Sequence, residues 1–107
     1  MKASPKVSIE LDKPRTLWLN FNAMALFEKE TGKHAFKALG DPSASDLRAL
    51  VWACLVHEDK ELTLDMVGET MDLTTVEYVM GKIMEAWQVA LPDKKGKKAG
   101  NLPSGTG

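Results

Sequence analysis

Cysteine is nearly absent from this chain of 107 residues: Cys54 stands alone, so no internal disulfide is available. Its place in an apolar stretch suits a small core residue in a reducing compartment. No apolar run approaches the roughly 18 residues needed to span a bilayer, and no membrane partner is expected. The stretch Met1-Lys2-Ala3-Ser4-Pro5-Lys6 has no apolar segment ahead of a cleavage site, which points to a cytoplasmic protein. A glycine-rich phosphate loop, CxxC and HExxH are all missing, and with them the common signatures of nucleotide, redox and zinc-hydrolase chemistry. Gly68 and Gly81 stand alone inside helical patterns, where they are expected to mark close helix packing.

What is present is an ordinary globular composition, 44% hydrophobic and 27% charged, with length for one core and not for two. The net charge of -1 hides an asymmetry. Residues 1–92 carry ten Lys or Arg against fourteen Asp or Glu, a net -4, whereas residues 93–107 carry four Lys against one Asp, a net +3. A body that grips nucleic acid normally shows a basic face, because phosphate neutralisation supplies most of that affinity. Nucleic acid is therefore an unexpected partner for the body.

The pattern opens with strict alternation. Val7, Ile9 and Leu11 share one face, and after Asp12-Lys13-Pro14-Arg15 so do Leu17, Leu19 and Phe21. Period two with a proline-bearing turn predicts a β-hairpin, with Trp18 and Asn20 on its other face. Asn20 or Asn22 then caps a helix over 23–31 that carries Ala23, Leu26 and Phe27 and ends at Gly32. His34 to Leu39 gives one or two helical turns, broken at Gly40-Asp41-Pro42-Ser43. Ser45 is the expected cap of the next helix, where Leu47, Leu50, Val51, Cys54 and Leu55 form an amphipathic stripe. The polar break His57-Glu58-Asp59-Lys60-Glu61 reads as a loop, and Thr63 caps a short helix bearing Leu64, Val67 and Met71. A capping box Thr74-x-x-Glu77 opens a last helix whose stripe runs from Val76 through Val79, Met80, Ile83, Met84, Trp87 and Ala90 to Leu91, where Pro92 stops it. The fold class is mainly α (α+β): an N-terminal β-hairpin followed by about five short-to-medium helices. One domain covers 1–92, and 93–107, rich in Lys, Gly, Pro and Ser, reads as a disordered basic tail.

Convergent catalytic chemistry is thinly supplied. His57, Glu58 and Asp59, with Glu61, are the one cluster with metal-ligand side chains, yet consecutive residues at a helix end do not by themselves converge on one ion. No catalytic residue, metal or cofactor is expected, and the acids of this cluster read as solvated. Partner contact is the more natural use of the large side chains. Trp18 faces away from Leu17 and Leu19, so it is the best placed of the three tryptophans for a partner surface. Trp52 lies beside the Val51 and Leu55 line and widens its face, whereas Trp87 belongs to the core stripe of the last helix. Met80 and Met84 read as core filler. The expected partner-binding residues are Trp18, Phe27, Trp52, His57, Glu58 and Asp59.

Two stretches also carry a family resemblance. Leu17-Trp18-Leu19-Asn20-Phe21-Asn22-Ala23, followed by Leu26-Phe27-Glu28 and Gly32, resembles the opening of small tail assembly chaperones of long-tailed, siphovirus-type phages and related gene transfer agents. Asp46-Leu47-Arg48-Ala49-Leu50-Val51-Trp52-Ala53, running on to His57-Glu58-Asp59, Leu62-Thr63 and Val67-Gly68, is similar to the middle of the same family. The resemblance spans roughly residues 16–72 and rests on core positions and caps rather than on any catalytic signature.

The resemblance implies a mostly helical domain that keeps the tape measure protein soluble, helps recruit tail tube protein and does not remain in the finished virion. It also implies a longer form made by ribosomal frameshifting, which would contact tube protein. The lysine-rich run Lys94-Lys95-Gly96-Lys97-Lys98 is where such a slip is expected. Many weak sites along one long partner would give avidity, so a homo-oligomer is a further expectation. Two rivals remain open at the level of sequence. One is a permanent virion protein at the head–tail joint; the other is a helix-turn-helix-like regulator, which the acidic body opposes.

Overall fold

Alternating burial drives the first element. Strands β1 (Lys6–Glu10) and β2 (Pro14–Trp18) pair antiparallel, with Val7 opposite Leu17, Ser8 opposite Thr16 and Ile9 opposite Arg15. In the computed structural model, which describes residues 5–91, Val7, Ile9, Leu17 and Leu19 are all buried, as period two requires. Phe21 departs from the alternation and is 81% exposed. The reason is local: the Asn20 side chain accepts the Ala23 N–H at 2.9 Å, so the chain turns into helix α1 (Phe21–Thr31) before Phe21 can face inward.

Arg15 takes an inward position that the apolar pattern does not announce. It is buried, and its guanidinium donates to Asp12 at 2.8 and 3.0 Å and to Asp59 at 3.4 Å. Those hydrogen bonds, the Asp12 pair first, outweigh the desolvation and hold the Arg15 pKa above its ordinary value. Pro14 is tolerated because successive residues of a strand turn their N–H groups to opposite edges. Its position faces the same edge as Thr16, away from β1, and its strand partner Glu10 likewise sends its N–H outward, to the Tyr78 hydroxyl at 2.8 Å.

Four helices follow: α2 (Ala35–Gly40), α3 (Ala44–Leu55), α4 (Leu64–Glu69) and α5 (Val76–Ala90). Helix α1 ends at Gly32, whose φ of 72° is left-handed backbone that glycine adopts without strain. Helix α3 is capped by Ser43 and not by Ser45. Asp46 lies three residues after Ser43 and returns its carboxylate to the Ser43 N–H, closing a reciprocal box, whereas three residues after Ser45 stands Arg48, which has no acceptor to return. Asp46 is buried; burial raises its pKa, but the Ser43 N–H and the Lys33 ammonium at 3.0 Å outweigh that and leave it below the ordinary carboxylate value. Thr63 caps α4 as expected, accepting from Met66 N–H. The expected Thr74-x-x-Glu77 box does not form: Thr74 turns back to the Asp72 carboxylate, and α5 begins one residue later with Thr75 at its cap. Leu91 is extended, the conformation favoured before a proline.

The core gathers around α3, which packs on α1, β2 and α4, while α5 covers β1. Phe27, Leu50, Leu55, Val79 and Ile83 are almost wholly buried, and each such side chain contributes about 1.5–3 kcal/mol. Cys54 is buried among them, and desolvation pushes its thiol up to about 12. The expected tail at 93–107 lies outside the described residues. Among the described residues no helix is long and apolar enough to cross a membrane.

Candidate partner-binding surface

The end of β2 places Trp18 at the surface. Its side chain alternates away from buried Leu17, so it is half-buried rather than core. The ring is held from two sides: Lys6 Nζ lies 4.6 Å from its centroid, and the His57 ring meets it edge-on with centroids 5.4 Å apart. Held there, Trp18 forms a wall between two open depressions.

On one side lies an aromatic groove of about 290 Å³, lined by Trp18, Phe21, Met24, Phe36, Trp87 and Ala90. It joins the end of the hairpin, the start of α1, α2 and the C-terminal end of α5. Phe36 is 58% exposed and sits edge-on to Trp87, with centroids 5.4 Å apart. Trp87, expected in the core, is half-exposed: one face packs on the core and the other faces the groove. On the other side of Trp18 lies a cleft of about 250 Å³, lined by Trp18, Asn22, Leu26, Val56, His57 and Lys60. Its walls mix apolar stems with polar tips.

The remaining expected contact residues divide by burial. Phe27 is fully buried on the inner face of α1, so it reaches no partner in this fold; its helical stripe points to the core, and the expectation of contact there is corrected. Trp52 is half-buried and donates its indole N–H to the Leu62 carbonyl at 2.8 Å, pinning the loop between α3 and α4.

His57, Glu58 and Asp59 are not a free solvated loop. The first two close the outer edge of β2. The Glu58 carboxylate accepts the Thr16 N–H at 2.9 Å, and His57 Nε2 lies 2.8 Å from the Thr16 carbonyl oxygen. That oxygen only accepts, so Nε2–H is the donor in this contact. Asp59 completes the set by accepting from Arg15 at 3.4 Å. Two successive side chains, His57 and Glu58, thus stand in for a third strand. His57 alone of the three also lines the cleft beside Trp18.

Sequence reasoning did not find Phe21, Phe36 or Leu73, which is 91% exposed between α4 and α5. For Phe36 a signal existed: Ala35, Ala38 and Leu39 already complete a buried stripe at offsets 0, 3 and 4, which leaves Phe36 over. Among the described residues no group of three or more His, Cys, Asp or Glu is placed to hold a metal ion. Compared with family models, with curated proteins and with solved structures, the chain matches none.

Proposed function

We propose that this domain is a binding module and not an enzyme, and that it acts as a tail assembly chaperone: it binds and keeps soluble a tape measure protein and helps recruit tail tube subunits. The observation that carries the reading is Trp18, a large aromatic side chain braced by Lys6 and His57 yet left half-exposed beside an open cleft. Rigid aromatic anchors of this kind dominate binding energy where they are central to a contact. The cleft supports an amphipathic helix as ligand, because Leu26 and Val56 offer an apolar floor while Asn22, His57 and Lys60 offer polar edges. The acidic charge of residues 1–92 supports a protein partner over nucleic acid. The longer frameshift form and the cytoplasmic setting belong to the same proposal.

The test is co-expression of the full chain with the tape measure protein encoded in the same genome. Soluble tape measure protein is expected to co-purify with the wild type, and at least tenfold less with Trp18→Ala. Circular dichroism of the variant should show the helical content unchanged. Tape measure protein that remains insoluble with the wild type, or is recovered equally with the variant, refutes the reading.

A further inference from the structure

Four aromatic side chains from four elements meet in the groove at the C-terminal end of α5. Trp18 comes from the end of β2, Phe21 from the first residue of α1, Phe36 from α2 and Trp87 from α5 itself. Folding normally hides such rings, yet Phe21 and Phe36 are exposed and both tryptophans are only half-buried. Phe36 and Trp87 cross at 72°, an edge-to-face contact in which each ring steadies the other.

The two tryptophans also hold unused donors. Trp52 gives its indole N–H to the Leu62 carbonyl at 2.8 Å. Among the described residues neither Trp18 nor Trp87 has an acceptor for its own indole N–H. Both donors are reachable from solvent, because the one buried side-chain nitrogen or oxygen left without a partner among those residues is Nε of Arg48. Reachable donors set among aromatic faces suit a ligand with free acceptors. An α-helix spends its carbonyls on its own N–H groups. A segment in the polyproline II conformation has no internal hydrogen bonds and leaves its carbonyls open. Its proline rings pack on aromatic walls, and its fixed φ reduces the entropy lost on docking.

Charge narrows the ligand further. No charged side chain lines the groove. The exposed Lys6 ammonium lies 4.6 Å from the Trp18 centroid. Carboxylates close in the chain to the other walls are engaged elsewhere: Glu28 accepts the Ala35 N–H at 2.9 Å, and Glu85 lies 3.4 Å from Lys82. Lys37, next to Phe36, belongs with Asp41 to a separate depression. The charge left at the Trp18 end is a single cation, which complements a carboxylate.

We infer that this groove docks a proline-rich segment of another protein, extended in the polyproline II conformation, with an acidic residue at the end that meets Lys6. The proline rings lie against Phe21, Phe36 and Trp87, and the indole N–H groups of Trp18 and Trp87 donate to the segment's carbonyls. So small a contact makes binding weak and reversible. Phe21 and Phe36 line this groove and not the His57 cleft, so the inference is separate from capture of tape measure protein.

Titration of the nitrogen-labelled full chain with acetyl-Glu-Pro-Pro-Leu-Pro-Pro-amide, read by NMR through the three tryptophan indole signals, tests this. The Trp18 and Trp87 signals are expected to shift and saturate, while that of Trp52 stays in place because its N–H is already given to Leu62. Phe21→Ala and Phe36→Ala, both at exposed positions, are each expected to weaken binding about tenfold, with helical content by circular dichroism unchanged. Lysine in place of the peptide's glutamate is expected to weaken binding about threefold at low salt, as a surface ion pair does. An alanine-rich helical peptide carrying the same glutamate should leave the indole signals where they are. Trp18 and Trp87 signals that do not move, binding that neither phenylalanine substitution weakens, equal affinity for the lysine peptide at low salt, or an equal or larger response to the helical peptide overturns the inference.

Discussion

The two helical glycines illustrate how much a single position depends on its neighbour. Both were expected at close helix contacts, and one is. A Cβ on Gly68 would lie 3.1 Å from Cδ of Arg48, whose stem crosses α4 on its way to Asp65, 3.6 Å from Nη1. A Cβ on Gly81 would meet nothing within 4 Å, and the position is exposed in the middle of α5. Glycine there only increases the freedom of the unfolded chain. Gly81→Ala is therefore expected to stabilise the domain by about 0.5–1 kcal/mol, read as a higher midpoint in urea at unchanged slope. Gly68→Ala should gain less, because Arg48 has to shift by a few tenths of an ångström. A Gly81→Ala variant no more stable than wild type would overturn this account of Gly81.

At the scale of elements, the hairpin persists because both its edges are occupied. A two-stranded ribbon alone is marginal in water, and an open edge invites pairing with other chains. Here α5 covers β1, with Tyr78 meeting the Glu10 N–H, and the loop after α3 closes β2 through His57 and Glu58, while Asp59 holds the Arg15 guanidinium. Glu58→Ala removes the acceptor of the Thr16 N–H while leaving the apolar face of β2 intact. The Thr16 amide is expected to exchange about fivefold faster or more, in keeping with the loss of about 1 kcal/mol for a hydrogen bond to a charged acceptor at the surface. Amides of α3 and α5 should keep their protection. Hydrogen exchange read by NMR checks both, and an unchanged Thr16 rate would mean that the loop does not hold the strand in solution. The alternation of Val7, Ile9, Leu17 and Leu19 made the hairpin legible in sequence. This edge closure was not, because it joins residues 41 and 42 positions apart.

For the molecule as a whole, Cys54 reports on cooperative opening. It is wholly buried in the last turn of α3, and its thiol is pushed up to about 12 by desolvation. The reactive thiolate is then about one part in ten thousand at pH 8, and the reagent has no path to it in the folded state. Labelling by an aromatic disulfide at pH 8 is expected to be slow in buffer and complete within seconds in strong urea, with a native rate that tracks global stability across the variants above. Fast stoichiometric labelling of the native protein would show that α3 opens locally.

Local and periodic information determined much of this protein. The apolar alternation of 7–19, the stripe of α3 and the middle of the α5 stripe at Val79 and Ile83, the Thr63 cap and the Gly32 stop depend on contacts within a few residues or on a repeat of 2 or 3.6, and these stand in the structure, whereas Val76 and Ala90 at the two ends of the α5 stripe are exposed. Where two local signals competed, as between Ser43 and Ser45 or between the alternation and the Asn20 cap at Phe21, the winner was set by which side chain completed a hydrogen bond. Tertiary structure alone decided the rest. It buried Arg15 with two carboxylates, turned His57 and Glu58 from a presumed solvated loop into the edge of a sheet, and left Phe21, Phe36 and Trp87 around one groove. Each of these outcomes depends on which distant backbone lies alongside, and a period along the chain carries no information about that distance.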